Sequence, residues 1–461
     1  MIKITFTEPN LALKQYHISI KFTLIQLLKR QYIMFKRNFI YSFILIIGII
    51  SISSCRSNLI DSTPTINSKA SLKKPYLILI SLDGFRWDYV EKYKPPHLSN
   101  LINKGVKAES LIPSFPSKTF PNHYTIATGM YPDKHGIIGN SFYSNNKNVT
   151  YKIGNREMVE DGTFYGGDPI WVKADNADMV SASYFFVGSE ADIQGKRPTY
   201  YKVYDGKIKN ETRIAKVLDW LALPEKERPH LITLYFSDMD DTGHKYGPNN
   251  EEELKKALFD LDENLGTLFK GTKATGLSIN TIIVSDHGMA ELSTSNLIPT
   301  ESIENDSLFS AIDNGAIINI HPKKGIEIDT IFKFLKLKEA HFKVYKTKNT
   351  PGFEYTPKNK DWGTLQLLPD FGYYFTKRKR IASINKNNIK KIGVHGYDPK
   401  YKDMHGIFYA NGPAFKKGIV VPSLKNIHIY PLICEILELE ISDNIDGELK
   451  QIKNVLKPIN D

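Results

Sequence analysis

Three continuous apolar runs punctuate the chain, and each stops at a carboxylate. "PYLILISLDG" begins at Pro75, "HLITLYFSDMDD" at His230 and "SINTIIVSDHG" at Ser278. Runs of this length without polar alternation predict strands buried on both faces, as in a parallel sheet covered by helices. After the second run, Leu254, Ala257, Leu258, Leu261 and Leu265 recur at helical spacing, which predicts a helix from Glu251 to Phe269. Strands alternating with helices give the expected fold class: α/β, an open mostly parallel sheet flanked by helices. Ligands of such sheets bind beyond the carboxyl ends of the strands. Three strand ends that deliver aspartates to one edge therefore predict a site there.

The pattern breaks at about 325–390. A lysine-rich helix candidate, "IDTIFKFLKLKEAHFKVY", is followed by a Pro/Gly/Asn-punctuated stretch up to "FGYYF". This predicts an inserted cap subdomain, because site-like sequence resumes after it at "HGYD". Near the N-terminus, Lys36 and Arg37 precede an apolar stretch from Phe39 to Ile52 that ends in "ISSC". That is the order of a secretory signal, and the apolar stretch is shorter than the ~20 residues that span a bilayer. "ISSC" resembles a bacterial lipobox, which would place a lipid on Cys55. The expected organisation is an over-extended start (1–33), a lipoprotein signal peptide (34–54), a polar tether (55–72) and a catalytic domain (73–461). The expected location is the bacterial cell envelope, as an exported, lipid-anchored protein.

Charge changes this picture little. Of the formal net charge of +11, residues 1–55 hold +6, and the remaining lysines are scattered without an arginine-rich stripe. Specific binding to a nucleic-acid duplex is not expected. The chain has two cysteines, Cys55 and Cys434, so neither a disulfide framework nor a thiolate metal site is predicted. Cys434, in "YPLICEIL", reads as part of a buried helix face.

The candidate chemistry lies at the strand ends: Asp83, Asp240 with His244, Asp286 with His287, and later His395 in "VHGYDP". Three carboxylates and three imidazoles suit zinc or a similar divalent cation with nitrogen and oxygen ligands. Six such residues exceed one tetrahedral shell, so two ions are the economical reading. Asp240 and His244 are four apart and would share a helix face, while Gly288 permits the turn that lets Asp286 and His287 converge. Thr119 stands in "PSKTFPNHYTIATGM", a predicted helix with Pro121 in its first turn. Two readings of it stay open here: an N-cap threonine, or a nucleophile that a divalent cation activates at a phosphate-binding helix N-terminus.

Several segments together resemble the nucleotide pyrophosphatase/phosphodiesterase family of the alkaline phosphatase superfamily. They are "LISLDGFRWDY", "PSKTFPNHYTIATGMYPDKHGIIGNSFY", "DPIWVKA", "DTGHKYGP", "IIVSDHGM" and "VHGYDPKYKDMHGIFYANGPAFKKG". The resemblance implies two Zn2+ ions, one held by Asp240, His244 and His395 and the other by Asp83, Asp286 and His287, with Thr119 facing the second. It also implies that Asn140 donates to a phosphate oxygen. Phe120, Trp171 and Tyr201 would line a slot for the base, with Lys118 adding positive potential. Two divalent ions, three carboxylates and one alkoxide sum to about zero charge, which suits a singly charged diester better than a doubly charged monoester. The expected activity is hydrolysis of nucleotide phosphodiester or pyrophosphate bonds through a phosphothreonine. A phosphomonoesterase on the same scaffold, and a phospholipid or glycerophosphodiester phosphodiesterase, remain the alternatives. His405, in "DMHGIF", is read as a supporting or packing residue rather than a ligand.

Overall fold

The computed structural model describes residues 66–458. The expected over-extended start, the signal peptide and Cys55 lie outside the described residues. The three apolar runs form strands Tyr76–Leu82, Leu231–Phe236 and Ile279–Val284, parallel and adjacent at the centre of an eight-stranded sheet. Ser181–Tyr184 and Tyr200–Lys202 extend it beyond Leu231–Phe236. Phe408–Asn411, Val106–Ala108 and Ile419–Val421 extend it on the other side, and only Phe408–Asn411 runs against the rest.

Alternate residues of each central strand serve opposite layers. Leu77, Leu79, Leu231, Ile282 and Val284 face the layer that holds helix Ile429–Leu437, where Cys434 is buried and its thiol is pushed up to about 12 by that burial. Ile78, Ile80, Ile232, Leu234 and Ile283 face Leu254, Leu258, Leu261 and Leu265 of the predicted helix. Double burial explains why the runs contain no polar alternation. That helix spans Glu251–Ala274, and the Asn250 side chain caps it by accepting from Glu253 N at 3.2 Å. Its last turn carries no apolar repeat, so periodicity alone ended it early.

Two boundaries differ from expectation. The packed body begins inside the stretch read as a tether. Asn67 is buried, accepts from Val180 N and donates to the carbonyls of Glu225 and Arg228. The inserted segment is also larger than 325–390. Strand Ala290–Ser293 pairs with Lys391–Val394, and Leu297–Pro299 pairs with Tyr374–Thr376. Between them, Phe309–Asp313, Ile318–Pro322, Leu365–Pro369 and Phe342–Lys346 form an antiparallel sheet under helix Ile328–Lys336. Ile318, Ile320, Ile331, Leu335, Leu365 and Leu367 form a separate small core there. The lysine-rich helix is the visible signal of the insertion, whereas its first strands look in sequence like those of the main sheet.

One polar contact ties the helical layer together. Helix Pro96–Asn103 has Pro95 at its N-cap, with no side-chain acceptor, and the buried Asp262 accepts from His97 N and Leu98 N at 2.8 Å each instead. Asp262→Ala should leave two helix-end donors without that partner and cost about 1–3 kcal/mol. Urea unfolding measures it, and an unchanged midpoint would contradict the assignment.

Candidate active site

Registry sets the site. Leu82 pairs with Phe236 and Ser81 with Val284, so the chain leaves all three strands at one level. Asp83 follows the first strand directly. Helix Asp238–Tyr246 follows the second and carries Asp240 and His244 on one face, His244 Nε2 lying 3.4 Å from Asp240 Oδ1. Asp286 and His287 follow the third. His395, directly after strand Lys391–Val394, returns from the inserted segment to stack on His287 with ring centroids 3.6 Å apart.

Two glycines permit this convergence. Gly84 has φ +62°, and a Cβ there would stand 2.8 Å from Asp240 Cα. Gly288 is needed for closeness rather than for an unusual backbone, since a Cβ would stand 2.2 Å from Asp403 O and 2.5 Å from His405 O.

The imidazoles are oriented from behind. The Nδ1 atoms of His244, His287 and His395 donate to the carbonyls of Gly393, Gly288 and Ser117 at 2.8, 2.8 and 2.9 Å. Each Nε2 lone pair is thereby turned inward, as metal-ligating histidines require. Burial pushes His287 below the ordinary imidazole range. It pushes His395 well below, helped by His287, Lys118 and His244.

The carboxylates are in the opposite situation. Asp83 Oδ1, Asp240 Oδ1 and Asp286 Oδ2 are buried without a hydrogen-bond partner, while Asp83 Oδ2 accepts from Tyr235 OH at 2.6 Å. Burial and the charges of Asp286 and Asp240 hold Asp83 well above the usual carboxylate range. Burial also raises Asp240, against the pull of His244 and His287. For Asp286 burial acts upward too, but His287 and His123 outweigh it and hold the group at about 2.

A divalent cation fits this donor set. Around His287 Nε2 lie Asp286 Oδ2 at 3.2 Å, Thr119 Oγ1 at 3.3 Å and Asp83 Oδ1 at 3.5 Å. Ligand atoms ~2.0–2.2 Å from zinc stand roughly 3.3–3.6 Å apart along the edges of a tetrahedron. Asp240 Oδ1 lies 4.0 Å from His395 Nε2 and 3.4 Å from His244 Nε2, which gives a second group of nitrogen and oxygen donors. His123 also approaches Asp286 Oδ2, at 3.3 Å. Its Nδ1 faces Thr119 O and its Nε2 faces Ser81 Oγ, so neither nitrogen is free to bind a cation.

Thr119 is the first residue of helix Thr119–Thr128, and Lys118 occupies the N-cap. The ordinary capping reading therefore does not apply to Thr119. It opens onto a cavity of about 340 Å³ lined also by Asp83, Asp240, His244 and His395. Asn140 lines it too. Its Oδ1 accepts from Phe120 N at 3.0 Å, which leaves the amide N–H2 as the outward group.

Of the expected slot residues, only Phe120 lines the cavity. Lys118 is buried and donates to Tyr374 OH at 2.8 Å. Trp171 is buried in the core against Phe186. Tyr201 is exposed and lies beneath the Arg197 guanidinium. The remaining walls come from residues that sequence reasoning did not single out, among them Arg156, Phe185, Glu190, Tyr204 and Tyr235. Arg86 is engaged by Asp88 and Asn249. His405 uses both ring nitrogens, on Ser110 Oγ and Pro399 O, as a supporting residue would.

The type I phosphodiesterase/nucleotide pyrophosphatase family profile matches residues 77–398. The chain belongs to this family. Ectonucleotide pyrophosphatase/phosphodiesterase family member 1 of Mus musculus is 34% identical over 411 residues, covering 86% of this chain and 44% of the relative. Venom phosphodiesterase CdcPDE of Crotalus durissus collilineatus is 36% identical over 402 residues, covering 84% and 47%. The chain thus spans less than half the length of these curated relatives. Murine ectonucleotide pyrophosphatase/phosphodiesterase 5, an inactive threonine-to-alanine variant in complex with AMP, superposes with a TM-score of 0.76 at 29% identity. That match covers 83% of this chain and all of the other.

The Gly288 contact generates a test within this family site. Gly288→Ala must displace the 403–405 segment or His287, and divalent-cation affinity measured by calorimetry should weaken by about 10–100-fold. Unchanged affinity would show that the close approach does not position His287.

Proposed function

We propose that the protein is an exported, lipid-anchored hydrolase of nucleotide phosphodiester and pyrophosphate bonds that releases nucleoside 5′-monophosphates. In this reading Asp240, His244 and His395 hold one zinc ion, and Asp83, Asp286 and His287 hold the other beside Thr119. The zinc pair would supply Lewis acidity, lowering the pKa of the Thr119 hydroxyl and offsetting charge on the phosphoryl oxygens.

The carrying observation is Thr119 Oγ1 at 3.3 Å from His287 Nε2, within a cavity that also presents the Asn140 amide. Thr119 Oγ attacks phosphorus, the Oγ–P bond forms, and the bond to the leaving oxygen breaks. Water then cleaves the phosphothreonine and restores the hydroxyl, so configuration at phosphorus is retained after two inversions. The Asn140 N–H2 donates to a non-bridging oxygen as charge develops there. Phe120 and Tyr204 line the same cavity and would take the base between their rings. The AMP complex of the murine neighbour, an inactive threonine-to-alanine variant, supports both the nucleotide and the threonine assignments.

Two measurements test the reading. Purified protein should bind two zinc ions per chain and hydrolyse p-nitrophenyl thymidine 5′-phosphate far faster than p-nitrophenyl phosphate. The reverse preference would point to a monoesterase. Thr119→Ala should keep its metal and its unfolding midpoint while losing turnover by several orders of magnitude.

A further inference from the structure

The cavity wall contains an ion pair that the proposed reaction does not use. Arg156, at the start of helix Arg156–Glu160, donates from Nη1 to Glu190 Oε1 at 2.7 Å, and its Nη2 lies 2.6 Å from Glu190 Oε2. Nη2 also donates to Glu160 Oε1 at 2.8 Å, so the guanidinium is held from its own helix as well. Glu190 is buried, and its Oε2 accepts the Tyr204 backbone N–H at 2.9 Å. Its main-chain carbonyl accepts from Arg197 Nε at 2.9 Å. Three of the roughly four acceptor positions of the carboxylate are therefore taken by the protein.

Tyr204 needs such a hold. Residues 201–207 are exposed, yet the Tyr204 ring lines the cavity and meets Phe185 edge-on at 5.2 Å. We propose that Arg156 is a positioning residue: by neutralising and orienting Glu190, it fixes Tyr204 so that its ring can stack on a nucleobase. Without Arg156, a nearly buried carboxylate loses its countercharge and must turn towards water, releasing the Tyr204 amide. The proposal rests on the nucleotide reading above.

The test compares two diesters with one leaving group: p-nitrophenyl thymidine 5′-phosphate, which carries a base, and methyl p-nitrophenyl phosphate, which does not. Arg156→Ala should lower the ratio of kcat/KM for the first over the second by about tenfold or more, the scale of losing one base-stacking contact. The loss should appear chiefly in KM. AMP affinity should weaken more than inorganic phosphate affinity by a similar factor, and Arg156→Lys should recover part of the ratio. Tyr204→Ala should give the same selective loss, and the double variant should be no worse than Tyr204→Ala alone. Equal losses on both diesters would mean that Arg156 only supports the fold. An unchanged ratio would overturn the positioning role while leaving the nucleotide reading intact. Wild-type protein that cleaves the methyl ester but not the thymidine ester would overturn both.

Discussion

The site depends on one electrostatic constraint: three carboxylates meet under low-dielectric walls, each with an oxygen that no protein donor satisfies. Sheet registry enforces this meeting, because the strands that carry Asp83 and Asp286 and the strand that leads to Asp240 end at the same level. Burial disfavours the charged forms of the His287 and His395 imidazoles as well. An arrangement that would be costly in an ordinary core becomes favourable once positive charge enters it. The backing carbonyls of Gly393, Gly288 and Ser117 fit the same logic, since they fix each ring before any ligand arrives.

Much of this was legible in the sequence because burial and chemistry leave different marks. A strand covered on both faces must be apolar throughout, so the first polar residue after it announces the sheet edge. Asp83, Asp286 and His287 could be located on that ground, and Asp240 with His244 by helical spacing. The rest depended on contacts between distant segments. Trp171 and Tyr201 are aromatic residues near the right motifs, but one faces the core and the other the solvent. Tyr204, which does line the cavity, has its amide held by a residue fourteen positions earlier. No local periodicity reports such a bond.

His123 illustrates a second kind of invisibility. It lies in the most distinctive motif of the chain, four residues after Thr119, yet its Nδ1 faces the Thr119 carbonyl and its Nε2 faces Ser81. Its contribution to the site is a ring nitrogen 3.3 Å from Asp286 Oδ2, which residue type alone cannot distinguish from ligation. The early edge of the inserted segment was hidden for a simpler reason: a short strand has the same composition whether it joins the main sheet or a small satellite sheet.

Lys118 gives the inserted segment a mechanical meaning. Its ammonium is buried, donates to Tyr374 OH, and lies where a Cβ on Gly396 would come within 2.5 Å of Lys118 Cε. The residue immediately before Thr119 is thus riveted through Tyr374 to a strand of the insertion, and it packs against Gly396, one position from His395. The insertion cannot swing away as a loose flap without dragging this lysine into water. It is part of the frame that holds the threonine, and remodelling of its outer surface can proceed freely only while that buried rivet stays in place.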